Sequence, residues 1–351
     1  MALINTITGQ ANKYLRFFSA DTVFSCLMFH IGIIKRTFNI PAKNILLFCS
    51  LSLFFHLGCA SSTALRQTTS KNFLYCLAVQ DTLLITGGGG GIDVYSINNH
   101  LFPRQISSVF TGSSVAGIAV RWPKVFAACG KSGLVTTSFI DPQNPKTENV
   151  CDLQMNALAV DIIDSFAIVI GIDNYKGYLK VVAMERTPPQ VLDSFSVAGS
   201  ISSIHCEDST IFICGTESWT GFLRTYMLNR LSGKVKSLSG IALDAPAWDV
   251  TSKANMAVTA QGDKGVFIAN SDISGRLTQV SSTQCGIFSR QIAIADSLLF
   301  VLNDKQGISV VDFTGKISKT IAIKSISHFA VSYPYIYASL ANKTMSVITY
   351  K

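Results

Sequence analysis

The chain has 351 residues, 48% hydrophobic and 14% charged, with 29 Lys and Arg against 21 Asp and Glu for a formal charge of +8. That length and apolar content can bury a large core, which excludes a disordered or low-complexity chain. Residues 1–58 hold five of the basic and one of the acidic residues, leaving 24 against 20 beyond them. That balance, without a basic run, argues against nucleic acid as a partner.

Residues 1–58 read as a leader and signal peptide. Lys35, Arg36 and Lys43 precede an apolar run from Ile45 to Leu57, followed by Gly58-Cys59-Ala60-Ser61-Ser62. A basic region, a short apolar core and small residues form a secretory signal, and the core is short for a membrane-spanning helix. Gly-Cys at this place resembles a bacterial lipobox, which implies a lipid on Cys59 and a protein anchored to a membrane of the cell envelope. Secretion or release into the periplasm is the alternative. His56 departs from the lipobox, which usually has an aliphatic residue there. Met28 offers a second start that shortens the leader, and Thr22 to Ile34 with Ile45 to Leu57 could instead be two membrane-associated segments.

Beyond the leader the chain repeats. The glycine that opens the third strand of each unit recurs as Gly91, Gly133, Gly177, Gly221, Gly265 and Gly307, at intervals of 42, 44, 44, 44 and 42 residues. An apolar strand precedes each, from Leu83 to Thr86 in the first unit to Leu298 to Leu302 in the sixth, and a seventh copy runs from Ile336 to Tyr350. Each unit opens with another strand, ending at Val79, Val120, Val160, Cys206, Val250, Ile294 or Val331. With a more variable fourth strand, every unit fills one propeller blade. The pattern therefore predicts an all-β chain, a seven-bladed β-propeller of four-stranded antiparallel blades over residues 72–351.

On the first strand of each unit one face is small or polar: Cys76, Gly117, Ala157, Ser203, Ala247, Gln291 and His328. The other carries Leu77, Ile118, Leu158, Ile204, Trp248, Ile292 and Phe329. Large side chains of one blade are thus expected to fill hollows in its neighbour. The last unit lacks a fourth strand, so residues 59–71 are expected to hold the lipidated Cys59 and a strand, Ala64 to Ser70, that completes it and removes an exposed edge.

Two copies carry a family resemblance: Val125-Phe126-Ala127-Ala128-Cys129 through Gly133-Leu134 to Asp141-Pro142, and Leu299 through Gly307-Ile308-Ser309-Val310-Val311-Asp312. They resemble the LVIVD repeat of bacterial and archaeal surface or secreted proteins. The resemblance implies a propeller and says little of function. No Trp-Asp ending of the WD40 type recurs.

The turn after each second strand and the blade-to-blade connections must share one face, where propellers usually bind ligands. Lys131, Lys176, Lys264, Lys305 and Lys343 occupy five of these seven turns, and Tyr175 and Trp219 stand in two. The lysines read either as solvated turn residues or as a cationic ring. The aromatics either fold back on a blade or offer a stacking surface for sugar or protein. Asp81-Thr82, Asp164-Ser165, Asp208-Ser209 and Asp296-Ser297 mark turns on the opposite face. His205, Asp249, Gln291 and His328 interrupt the small face near the axis and suggest a polar network along the channel.

Six cysteines follow Cys59, without a Cys-x-x-Cys spacing, and read as small buried side chains; Cys206 and Cys214, on adjacent strands, are a conceivable disulfide. The glycines from Gly87 lack the Lys-Ser/Thr of a phosphate loop, and no motif points to a metal or another cofactor. The function expected is a non-enzymatic, monomeric binding module for a protein or extracellular polymer. The alternative is a propeller hydrolase or lactonase using a metal and Asp173, Glu217, Asp249, Asp263 and Asp304 at the channel mouth.

Overall fold

Among the described residues, short runs of Val, Ile, Phe and Tyr between turn residues become 28 strands, which pair into seven four-stranded antiparallel sheets. The computed structural model describes residues 66–70 and 73–350. The leader, Met28, the apolar run 45–57 and Cys59 lie outside these residues.

The innermost strands of blades 1 to 7 are Leu74–Gln80, Gly117–Arg121, Asn156–Ile163, Ser200–Glu207, Asp249–Lys253, Ser289–Ala295 and Ile326–Ser332. Each touches the next, and the seventh touches the first. The ring is therefore closed. Arg66–Thr69 takes the outermost place of blade 7, pairing antiparallel with Thr344–Thr349 from Arg66 opposite Val347 to Thr69 opposite Thr344. Blade 7 thus combines both ends of the described chain.

A single blade cannot bury both of its faces, so the apolar side chains meet between blades. Seven hydrophobic clusters occupy the seven seams, from one joining blades 1 and 2 around Ile85, Val94 and Val125 to one joining blades 7 and 1 around Tyr337, Val347 and Leu84. A fully buried Ile or Leu contributes roughly 1.5–3 kcal/mol, so stability grows with each seam closed. The closing seam also carries polar contacts: His100 Nδ1 lies 2.7 Å from Tyr337 Oη, and its ring stacks on Tyr335.

Five of the large residues predicted to enter a neighbour's hollow do so. Leu77, Ile118, Ile204, Ile292 and Phe329 each join the cluster shared with the preceding blade. Leu158 and Trp248 do not; Leu158 lines a surface cleft, and Trp248 remains 48% exposed with its ring edge-on to Phe288.

β-Bulges interrupt five inner strands, displacing Tyr75, Leu158, Ser202, Arg290 and Ser327 from the pairing. A bulge re-aims a side chain without breaking the sheet. All six cysteines in the described residues are free. Cys206 pairs across the sheet with Ile211 and Cys214 with Ser203, so register keeps the two apart. Burial pushes the Cys76 thiol up to about 12 and that of Cys129 to about 11, as suits inert core thiols.

Candidate functional site

The turns after the second strands include Asp173–Lys176 of blade 3 and Glu217–Thr220 of blade 4, both closing tight hairpins. In each, both central residues have positive φ: Asn174 at 47° and Tyr175 at 65°, Ser218 at 48° and Trp219 at 75°. Such mirror-image turns suit strand twist but favour Asn and Gly. A bulky ring in the left-handed region costs about 1–2 kcal/mol. Nothing in the fold repays this, since Tyr175 is 98% and Trp219 92% exposed. Neither ring folds back onto a blade. Tyr175→Gly and Trp219→Gly are therefore each expected to stabilise the protein by about 0.5–1 kcal/mol in thermal unfolding, once the added freedom of the unfolded chain is subtracted. A loss of stability would show that the rings support the fold.

Lys131, Lys176, Lys264, Lys305 and Lys343 are all exposed on this face. They do not form a uniform cationic ring. Lys176, Lys264 and Lys305 sit in turns that also carry Asp173, Asp263 and Asp304, and Lys305 and Lys324 border one surface cleft. Lys343 Nζ lies 4.6 Å above the Phe73 ring. Exposed aromatics concentrate here too, with Phe73, Tyr75, Phe110 and Trp248 joining Tyr175 and Trp219.

The polar residues of the inner strands lie along the seams rather than in one network. An innermost strand exposes a row of unpaired amides toward the axis, and each amide needs an acceptor. Side chains of the preceding blade supply them. Asp161 accepts from Cys206 N at 2.7 Å and from its neighbour Ile162 N at 2.8 Å. Asp249 accepts from Ser203 Oγ at 2.6 Å, Val250 N at 2.9 Å and Ile292 N at 2.9 Å. The Gln291 amide donates to Phe329 O and accepts from Phe329 N, both at 3.0 Å. His205 Nδ1 lies 3.7 Å from Asp161 Oδ2. Burial raises both carboxyls above the ordinary aspartate value, partly offset by His205 at Asp161 and by the three donors at Asp249.

His328 stands at the closing seam, its Nδ1 buried without a hydrogen-bond partner among the described residues. Burial and then the Arg290 charge hold its imidazole down at about 4 instead of 6.5, while the Leu74 backbone pulls the other way. Arg290 itself donates to the Ile326 and Ser327 carbonyls and sits 3.0 Å from Asp304 Oδ1. A histidine depressed in the fold contributes stability that is complete above pH 6.5 and lost as pH falls through 4. At 1.36 kcal/mol per unit the loss approaches about 3 kcal/mol. Urea midpoints of the wild type should fall more steeply across that window than those of His328→Gln; parallel slopes would refute the assignment.

The acids weighed for hydrolysis stand on separate turns. Glu217 pairs with Arg224 and Asp304 with Arg290, while Asp173 and Asp263 belong to blades 3 and 5. Asp249 would have to release three hydrogen bonds to act on a substrate. Among the described residues no three His, Cys, Asp or Glu side chains are grouped to hold a metal ion.

A cleft of about 560 Å³ opens at the channel mouth, its lining including Tyr75, Ser114, Lys131, Asn156 and His328. Sequence reading selects Lys131 and His328 but misses Tyr75, which the bulge turns out of the alternating pattern. Asp161 is missed as well, although it continues the small face two positions beyond Ala159, and extending that parity would find it.

No family model matches the chain, and no curated protein matches it either. Solved structures do. The β-propeller domain of Cps50 (Swd1) from Myceliophteria thermophila superposes with a TM-score of 0.64 at 8% identity, covering 81% of this chain and 100% of that one. The computationally designed Ika8 protein gives 0.59 at 14% identity over 79% of this chain and 83% of its own. At such identities the likeness concerns the fold alone.

Proposed function

We propose that the protein is an exported, lipid-anchored interaction module that holds a protein or extracellular polymer on the face bearing Tyr175 and Trp219. The observation that carries this reading is the pair of aromatic rings held in strained turns of adjacent blades and left in solvent. Stable folds seldom keep such residues where Gly serves better, and Trp and Tyr are the side chains that dominate binding energy at interfaces. The strand Arg66–Thr69 runs toward this face.

Two measurements test the reading. Labelled palmitate should mark the wild type and not Cys59→Ala, and absence of label from both would remove the anchor. Retention on isolated envelope material should drop at least tenfold in the Tyr175→Gly/Trp219→Gly double variant while its melting temperature holds or rises. Unchanged retention would remove the aromatic pair from the partner site.

A further inference from the structure

We infer that the cleft at the channel mouth is a binding site for an acidic saccharide, one that presents a uronic-acid residue. The inference rests on the turn face being the binding face, but not on a lipid anchor. It places a second, chemically defined contact on that face, apart from Tyr175 and Trp219.

The cleft is assembled from four blades. Blade 1 contributes Tyr75, blade 2 Lys131 with the connection through Ser113 and Ser114 that leads into it, blade 3 Asn156, and blade 7 His328. Reciprocal backbone bonds between Gly130 and Ala157, of 3.1 and 2.9 Å, fix the side where blades 2 and 3 meet. The bulge at Tyr75 removes that residue from the strand pairing and leaves its ring 42% exposed on the cleft wall. At about 560 Å³ the space falls within the ordinary range for small ligands.

The chemistry of the wall selects the ligand. Ser114, Lys131 and Asn156 are exposed and have no intramolecular partner for their side chains among the described residues. Serine and asparagine side chains each donate and accept, matching sugar hydroxyls, which do both. The Tyr75 ring offers an apolar face to the C–H face of a pyranose while keeping its hydroxyl wet. Among the described residues Lys131 is the one cation in the lining and no carboxylate joins it, so a single negative charge is favoured and a cationic ligand is not. Phosphate recognition ordinarily uses clusters of arginine or a nest of free amides. Here the Gly130 amide is already bonded to Ala157 O. A carboxylate on a hydroxyl-rich ring matches Lys131, Ser114, Asn156 and Tyr75 together.

The test is isothermal titration of the full-length protein with a uronate tetrasaccharide, the same oligosaccharide after carboxyl reduction, and inorganic phosphate. Binding is expected for the uronate alone, weakened at least tenfold by Lys131→Ala and kept by Lys131→Arg. Tyr75→Ala should weaken it at least fivefold and Tyr75→Phe should not. The Tyr175→Gly/Trp219→Gly variant should bind the tetrasaccharide as the wild type does, so failure of the partner reading and failure of this one are told apart. No heat with the uronate, equal binding of the reduced oligosaccharide, equal competition by phosphate, or indifference to Lys131→Ala would each overturn the site.

Discussion

Gly117→Val is expected to lower the melting temperature by roughly 5–10 °C. Gly117 lies on the inner strand of blade 2, and a Cβ added there would stand 2.8 Å from the Ala159 Cα and 3.1 Å from the Leu158 carbonyl oxygen of blade 3. Those are backbone atoms, which cannot rotate aside as a long side chain does. The blades would have to part, and the Gly130–Ala157 bonds resist parting. Overpacking of this kind costs about 3 kcal/mol or more, and in a domain of this size each kcal/mol moves the midpoint by about 2–3 °C. Ala116→Val, one residue earlier and exposed, should shift it little. Equal melting of wild type and Gly117→Val by differential scanning calorimetry would mean that this seam is looser than the geometry indicates.

The fold was legible because every copy repeats the same packing problem. A period near 44 residues, a small face and a large face together specify sheets that must stack and a ring that must close, and the seven apolar clusters occupy the seams so defined. Legibility ended where alternation breaks. Tyr75 and Arg290 are bulge residues, and a bulge has no residue signature of its own here, so their directions could not be read from parity. The lysine-bearing turns were visible as residue types. The contact of Lys343 with the Phe73 ring, and full exposure of Tyr175 and Trp219, are properties of three-dimensional placement. His205, Asp249, Gln291 and His328 stand out in the sequence because they interrupt a face of small residues. The bridges that Asp249 and Gln291 make to the next blade follow from the unpaired amides of the inner strands, which no side-chain pattern displays.

Asp249→Ala should cost about 3–4 kcal/mol. One carboxylate here joins three blades: Ser203 of blade 4 donates to Oδ1, Val250 of its own blade 5 to the same oxygen, and Ile292 of blade 6 to Oδ2. Alanine leaves two backbone amides and a hydroxyl without their acceptor, each worth about 1–3 kcal/mol when water cannot replace it fully. Relief of the carboxylate's own desolvation returns part of that. Asp249→Asn should lose less, about 1–2 kcal/mol, because its carbonyl oxygen still serves Ser203 and Val250 while its amide nitrogen faces the Ile292 N–H, donor against donor. The pH dependence gives a second reading of the same group. A carboxyl raised above 3.8 by burial stabilises the fold fully below 3.8 and loses that contribution as pH rises through its folded value. The advantage of wild type over Asp249→Asn should accordingly be larger in acid than at neutrality. Denaturant titrations ranking alanine no worse than asparagine would show that the carboxylate does not join these blades as described, and an advantage that grows toward neutral pH would show that its three donors outweigh burial.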